Sequence, residues 1–281
     1  MILSSDTLEA LPDSLCSLFS LTEIIIDCNN LNTLPDRIGD LKNLKTLQVK
    51  SGKLRALPDS IGNLDQLITL EIEGSPLSVL PDTIGNLSKL TELKLLNCSE
   101  LVSLPGSIKN LRSLRSLYIR GSKMTSLPDA VCNITSLINL CLQYTNISSL
   151  PASIGNLTNL VFLGIYNFFN ETPYDHDGIL YFNQNKSTEK RSPFAVLPIE
   201  VSKLASLRFL VISNTEVTSL PDYLGDLPAL EKIEAVNCNI KTIPFSLQRL
   251  IDREELVLIR TDKEFDDYDL ESHFGKRPKR R

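Results

Sequence analysis

The sequence predicts an α/β solenoid, in which a parallel β-sheet lines a concave face and short helices or 3₁₀ turns form the convex face. Leucine accounts for 50 of the 281 residues, whereas there are only 2 Met, 2 His and no Trp. Leu-Pro pairs also recur along the chain at an almost constant interval. One apolar residue type at one recurring spacing indicates a single structural unit repeated many times, stabilised by stacking on its neighbours.

The Leu-Pro pairs set the period of the unit. Steps between successive prolines of this kind are 23, 23, 23, 24, 23, 23, 47, 23 and 23 residues. The segment after each proline typically reads Leu-Pro-Asp-Ser-Ile-Gly-Asn-Leu. Because proline fits the first turn of a helix and Asp suits its positive N-terminus, we predict a short helix or 3₁₀ turn there. The prolines are Pro12, Pro35, Pro58, Pro81, Pro105, Pro128, Pro151, Pro198 and Pro221, each after a leucine, and Pro244, which follows Ile243.

A second pattern, such as Leu67-x-x-Leu70-x-Ile72, lies between the prolines. Its last two apolar residues alternate with polar ones, which is the period of a β-strand with one face buried. A polar or small residue then turns the chain, and among these residues only Asn29 is an asparagine able to bond to neighbouring backbone. The predicted turn residues are Asn29, Gly52, Ser75, Cys98, Ser122, Thr145, Thr215 and Cys238.

Together these motifs resemble the leucine-rich repeat, L-x-x-L-x-L-x-x-N/C-x-L, over residues 3 to about 261. The Leu-Pro-x-x-Ile-Gly-x-Leu variant looks like intracellular members: Ras-group scaffolds of animals and plants, repeat regions of plant immune receptors, and bacterial proteins. The resemblance implies a non-enzymatic protein that binds another protein. It does not choose among these groups.

The 47-residue step divides the chain. It equals one repeat of 23 residues plus 24 more, and both Leu160-x-x-Leu163-x-Ile165 and Phe194-x-x-Leu197-Pro198 are in register. We therefore predict a solenoid of about ten repeats over residues 1–261, an insertion at about 169–193 beside the concave face, and a charged tail over 262–281. The first repeat starts inside a strand without a recognisable cap, which favours a fragment of a longer protein.

The insertion differs in composition from the repeats and is a candidate for partner binding, because long loops are frequently functional. Its alternatives are a tolerated surface insertion or a segment that folds back onto the solenoid. Asp175-His176-Asp177 does not predict a metal site, since three adjacent residues rarely face one ion and no second cluster offers ligands. The candidate residues are Tyr174, His176, Tyr181 and Phe182.

The register also predicts which side chains line the concave face. Early repeats place polar residues of alternating charge there, whereas later repeats gather aromatic residues next to the insertion. Tyr and Arg carry much of the energy of protein interfaces, so this stretch is the predicted partner site. The alternative is that the insertion covers these aromatics as a small core. The residues are Tyr118, Arg120, Gln143, Tyr144, Phe162, Tyr166 and Phe209.

Composition and motifs narrow the functional classes. No catalytic constellation or cofactor motif is present, and a net charge of −5 argues against general nucleic-acid binding. No apolar run reaches the roughly 18 residues that span a bilayer. The six cysteines form no paired framework, which suits a reducing compartment. We expect a cytoplasmic monomer. The basic run Lys276–Arg281 resembles a nuclear import signal, although a solvated tail is the simpler reading.

Two functional hypotheses follow. The first is a cytoplasmic scaffold that binds a partner protein through the concave face and the insertion. The second is the recognition module of a larger protein, an immune receptor or a secreted effector, with its other domains upstream; the incomplete first repeat motivates it.

Overall fold

The computed structural model describes residues 1–167 and 191–260. In this part of the chain, eleven strands form one open parallel sheet whose spatial order is the order of the sequence. The strands are β1 Ile2–Ser4, β2 Glu23–Asp27, β3 Thr46–Lys50, β4 Thr69–Glu73, β5 Glu92–Leu96, β6 Ser116–Arg120, β7 Asn139–Gln143, β8 Phe162–Tyr166, β9 Phe209–Val211, β10 Lys232–Ala235 and β11 Val257–Arg260. The predicted solenoid is therefore confirmed.

The second and fourth residues of the strands face the core. Leu47 and Val49 of β3 pair with Leu70 and Ile72 of β4 and are buried with them. The leucines of the convex segments pack from the other side, so one continuous core runs through all the layers. Stacking of identical apolar positions is the main source of stability in such a solenoid.

The convex segments are nearly all short 3₁₀ helices, and most of them directly follow a proline with extended backbone, as at Pro58 and Pro81. Glycine of the Ile-Gly motif is required here by close approach: a Cβ at Gly39 or Gly62 would lie 2.2 or 2.3 Å from a carbonyl oxygen of the next repeat. The 3₁₀ helices are Asp13–Ser17, Ile38–Asp40, Asp59–Asn63, Asp82–Asn86, Gly106–Asn110, Ala152–Asn156, Ile199–Lys203 and Asp222–Asp226; the α-helices are α1 Asp129–Cys132 and α2 Phe245–Asp252.

The turns after the strands have two arrangements. From Ser75 onward the predicted turn residues are buried, but Asn29 and Gly52 are exposed, and Cys28 and Ser51 point inward instead. The change coincides with the backbone: left-handed φ values first occur at Gly74 among the described residues. A left-handed residue reverses the local direction of the chain, so the residue after it turns inward. The exposed Asn29 amide donates a hydrogen bond to Asp6 Oδ1 at 3.4 Å.

The two ends of the sheet differ. At the start, Leu3 of β1 pairs with Ile26 of β2, which is the register expected from the repeat. At the end, α2 replaces the 3₁₀ turn, and β11 begins at Val257. The tail over 262–281 lies outside the described residues.

Candidate partner-binding face

The concave face is built from the first, third and fifth residues of the strands. Parallel pairing keeps these positions in three continuous rows, so that Glu71 is followed by Lys94, then Tyr118, then Cys141. Side chains of neighbouring repeats therefore stand side by side, about one strand spacing apart. The register predicted from the sequence for these rows is observed in the structure.

Strands β2 to β6 carry a charged strip, defined here by their first, third and fifth residues. These side chains are exposed or half-buried. Lys94 Nζ lies 3.1 Å from Glu92 Oε1 and 3.8 Å from Glu71 Oε2. Lys94 also lies 5.8 Å from the centre of the Tyr118 ring. Carboxylates and cations of the strip thus already interact across strands.

Further ion pairs extend the strip in both directions. Lys50 Nζ lies 3.5 Å from Asp27 Oδ2 at its beginning. Arg120 lies 3.4 Å from Glu73 Oε1 at its end, which links β4 with β6 across the intervening strand. Burial raises the pKa of Glu71, and Lys94 only partly offsets this effect. Glu71 is therefore a partly desolvated carboxylate within the strip.

Strands β6 to β9 carry an aromatic cluster, which shares Tyr118 of β6 with the strip. Phe162 and Tyr166 are 2% and 3% exposed, and Cys141 and Val211 are buried with them. The cluster is separate from the main core and consists of Tyr118, Cys141, Phe162, Tyr166, Phe209 and Val211. Most of the predicted aromatic partner site is therefore brought together by the structure, but its centre is buried rather than exposed.

Gly164 allows the two central rings to meet. It occupies the third position of β8, between Phe162 and Tyr166, and a Cβ there would lie 2.7 Å from a Phe162 ring atom and 2.9 Å from a Tyr166 ring atom. Both rings therefore occupy the space that a side chain at Gly164 would fill. Glycine in a strand commonly marks such a close approach.

Polar groups at the cluster are also desolvated. The Cys141 thiol donates a hydrogen bond to Tyr166 Oη at 3.4 Å. Burial raises the pKa of Cys141 to about 11 and raises the pKa of Tyr166 as well, so both groups are neutral at pH 7. On β10, Glu234 is buried and forms an ion pair with Lys232. Burial raises the pKa of Glu234, which Lys232 opposes.

The other predicted residues of this face lie beside the cluster. Arg120 is half-buried and held by Glu73, whereas Gln143 is buried. Tyr144 has a left-handed backbone with φ 50°, a conformation that costs energy in a bulky residue. Its N–H donates to Asn167 Oδ1 at 2.9 Å.

An asparagine network connects the two described ends of the insertion. Asn214 donates to the Asn167 carbonyl at 2.7 Å, and Asn237 donates to Asn214 Oδ1 at 2.7 Å. Arg191 donates to Asn237 Oδ1 at 3.2 Å. One hydrogen-bonded network therefore joins Asn167, before the insertion, to Arg191 at its end.

The return point is earlier than the sequence indicated. Ser192 forms a parallel bridge with Thr215 and takes the turn position of its repeat. Residues 192 and 193, which the sequence assigned to the insertion, therefore follow the solenoid register. The 24 additional residues are 168–191, and the candidates Tyr174, His176, Tyr181 and Phe182 lie outside the described residues.

Sequence reasoning missed three residues of the face. Gly164, Val211 and Glu234 were in the predicted rows, but nothing in the sequence distinguished them as part of a site. Their role depends on which neighbouring side chains contact them. The repeat register gives the position of each residue in the sheet but not the direction of the side chains around it. The contact of Cys141 with Tyr166 was not foreseen from the sequence either.

A family model described as a leucine-rich repeat region matches residues 8–103 and 96–174, which together cover more than half of the chain. The chain belongs to the leucine-rich repeat family. This confirms the resemblance drawn from the Leu-Pro period and the alternating strand motif. A search of curated proteins finds no matching sequence.

Solved structures of leucine-rich repeat proteins are similar to this one. A plant peptide hormone receptor, RGFR1, solved in complex with RGF2, is 26% identical; the match covers 92% of this chain and 37% of the receptor chain, with a TM-score of 0.60. This chain thus spans little more than a third of that receptor chain.

Two bacterial structures share the fold alone. The leucine-rich repeat domain of the type III effector XopL is 23% identical over 92% of this chain and 75% of its own, with a TM-score of 0.60. InlJ from Listeria monocytogenes is 18% identical over 94% of this chain and 56% of its own, with a TM-score of 0.59. Because proteins this different share one fold, the fold alone does not give a function. The function of this chain must therefore be argued from its concave face.

Neither a membrane-spanning helix nor a metal site is present in residues 1–167 and 191–260. No helix within these ranges is long and apolar enough to cross a membrane. No group of three or more His, Cys, Asp or Glu side chains within them is placed to hold a metal ion.

Proposed function

We propose that this leucine-rich repeat chain is a non-enzymatic protein-interaction module that binds a partner protein through its concave face and the adjacent insertion. The observation that carries the proposal is the concave face itself, where an accessible charged strip adjoins a buried aromatic cluster next to the insertion. Exposed or half-exposed polar groups beside desolvated aromatics are typical of protein interfaces.

The similarity to a receptor solved with RGF2 supports the proposal, because that structure is a leucine-rich repeat protein together with its ligand. The burial of Phe162 and Tyr166 refines the predicted site. Half-buried Tyr118, Arg120 and Phe209 are the cluster-side residues that a partner can reach first, whereas Phe162 and Tyr166 are buried in the cluster.

The insertion is tested by deleting residues 168–191, which restores the 23-residue step and joins Asn167 to Ser192. We expect the deletion variant to fold with an unchanged circular dichroism spectrum, because every buried turn residue keeps its place. Deleting 170–193 is the matched control: it also removes 24 residues but places Phe168 in the buried position of Ser192, so we expect a less stable protein.

Affinity capture followed by mass spectrometry compares the wild type with the 168–191 deletion. A protein retained by the wild type and lost with the folded deletion variant supports a partner site that includes the insertion. Equal retention by both proteins removes the insertion from the proposal. If the wild type retains nothing above a blank resin, the interaction-module proposal is contradicted.

The alternative for the insertion, that it packs on the solenoid, has its own measurement. We expect the Cys141 thiol to react slowly with iodoacetamide in a folded wild-type chain, since it is buried and little of it is thiolate. Faster alkylation of Cys141 in the deletion variant, read by peptide mass spectrometry, supports packing of the insertion on the cluster. An unchanged rate argues against it.

A second candidate function is the recognition domain of a larger receptor or effector. The match to only 37% of the receptor RGFR1 favours it, because that relative is much longer than this chain. Sequencing the transcript upstream of Met1 tests it. An open in-frame coding region supports the larger protein, whereas an in-frame stop codon contradicts it.

The proposal includes a reducing, intracellular location and a monomeric chain. All six cysteines are free and buried, as expected for a protein that never meets an oxidising compartment. Fractionation of cells that express a tagged chain checks the location. Recovery in the secretory pathway contradicts the intracellular location, and light scattering of the purified chain gives its mass in solution.

A further inference from the structure

Strand β10 places two charged side chains in a part of the concave face that carries no other charge. Lys232 and Glu234 are the first and third residues of this strand, so both lie in the concave rows. On β7 to β9 and on β11 these rows hold only apolar residues and residues that are uncharged at pH 7. Among the described residues, the net charge of the rows on β7 to β11 therefore depends on Lys232 and Glu234.

The surroundings of Glu234 compensate its charge poorly. Glu234 is 1% exposed, and no other Asp, Glu, Lys or Arg in residues 1–167 and 191–259 is buried. Val211 of β9 and Ile259 of β11 pair with it on either side, so both of its neighbours in the row are apolar. Its Oε1 forms an ion pair with Lys232, whereas its Oε2 has no hydrogen-bond partner in the described part of the chain. A buried carboxylate oxygen of this kind loses its hydration without replacing it.

Other charged groups near β10 have partners of their own. Arg208, just before β9, donates to both carboxylate oxygens of Glu231, just before β10, at 2.9 and 2.8 Å. Arg191 donates to an asparagine that lies beyond the end of β10. Among the described elements around Glu234, Lys232 is therefore the cation that pairs with it.

Desolvation favours the protonated form of Glu234 more than water does. Burial raises the pKa of Glu234, and the ion pair with Lys232 opposes this effect. Tyr166 of β8, whose pKa is raised by burial and to a smaller extent by Glu234, is uncharged and offers no compensation. When Glu234 takes up a proton, Lys232 loses its anionic partner. The Lys232 side chain is 20% exposed, so its flexible stem lets the ammonium group turn to water.

We infer that Glu234 and Lys232 form a pH-sensitive charge switch on the concave face. Where both groups are ionised, the rows on β7 to β11 are neutral overall. After Glu234 takes up a proton in mild acid, these rows carry one positive charge, on Lys232. The switch is a property of the chain alone, and its consequence rests on the proposed function: a partner at this part of the face meets a different charge in mild acid than at neutral pH.

Nuclear magnetic resonance tests proton uptake by Glu234 directly. The full chain is labelled with carbon-13 at the glutamate carboxyl groups, and the Glu234→Gln variant identifies the Glu234 signal by its absence. As the pH falls, we expect this signal to shift with a midpoint above the ordinary glutamate pKa of about 4.3. A midpoint at or below that value overturns the inference.

Two matched variants test the role of Lys232. In Lys232→Met we expect the Glu234 midpoint to rise above its wild-type value, because desolvation then acts without an opposing cation. Arg208→Met removes the same charge from a cation that pairs with Glu231, so the Glu234 midpoint should stay at its wild-type value. An equal rise in both variants, or no rise in Lys232→Met, overturns the inference.

Thermal melting gives an independent readout of the same proton. Because the folded state favours protonated Glu234, the stabilisation from the neutral form is complete below about pH 4.3 and is lost as the pH rises through the folded-state pKa. Glu234→Gln stays neutral, so it should melt at a higher temperature than the wild type at neutral pH, and the difference should shrink as the pH falls towards about 4.3. Glu216→Gln, at an exposed position, is the control and should show no such trend. A Glu234→Gln difference that does not change with pH overturns the inference.

The switch and the proposed function fail separately, because neither measurement needs a partner. A Glu234 signal with an ordinary midpoint contradicts the switch and leaves the interaction-module proposal standing. Affinity capture that retains no partner contradicts the proposed function, whereas a raised Glu234 midpoint in the same chain still supports the switch.

Discussion

The two halves of the concave face share one backbone and differ in what their side chains do. On β3 to β5 nearly all of the side chains on this face are polar, and Lys94 forms ion pairs with both Glu71 and Glu92. On β8 and β9 the same three rows hold a second small core around Phe162 and Tyr166. Core side chains beneath the two halves are alike. The difference shows that a solenoid keeps its scaffold constant while its concave rows vary independently.

Truncating the first residue of a strand is expected to show the largest difference in stability between the two halves. Phe162→Ala on β8 should lower the free energy of unfolding by about 3–5 kcal/mol, since it removes a buried aromatic ring. Thr69→Ala in the same row on β4 should change it by less than about 0.5 kcal/mol. Urea-induced unfolding followed by circular dichroism measures both, and similar losses for the two variants would show that the halves do not differ.

A substitution in the third-position row is expected to give a smaller contrast. Gly164→Val should cost about 1–3 kcal/mol, because the new side chain overlaps the rings of Phe162 and Tyr166. Gln48→Val is the control in the same row on β3, where the position is half-exposed and a valine suits a strand. A Gly164→Val protein as stable as the wild type would mean that the rings move apart without cost.

The smallest effect belongs to the charged strip. Lys94→Ala should change the free energy of unfolding by less than about 1 kcal/mol, since partly exposed ion pairs contribute little. The change should shrink further in high salt, which screens the pairs. Lys232→Ala is the comparison on β10, where loss of the cation leaves the buried Glu234 uncompensated, so its cost should be larger. Equal costs would contradict the division of the face.

Much of the scaffold could be predicted from the sequence because each repeat obeys the same local rules. The alternation at Leu70 and Ile72 requires a strand with one buried face, and the Leu-Pro step places the convex turns. Which residue of a turn points inward could not be predicted, since it is Cys28 or Ser51 after β2 and β3. The backbone conformation at the turn decides which side chain points inward, and the residue types at the turn do not indicate that conformation.

The sequence by itself determined the repeat, the parallel register and the membership of the concave rows, because a period of 23 residues leaves the stacked strands no other alignment. Only the tertiary structure decided that Gly164 lets two rings meet, that Phe162 and Tyr166 are buried, and that Lys94 is shared between Glu71 and Glu92. The physical reason is that burial and pairing depend on side chains from different repeats, whereas the repeat pattern describes each layer alone.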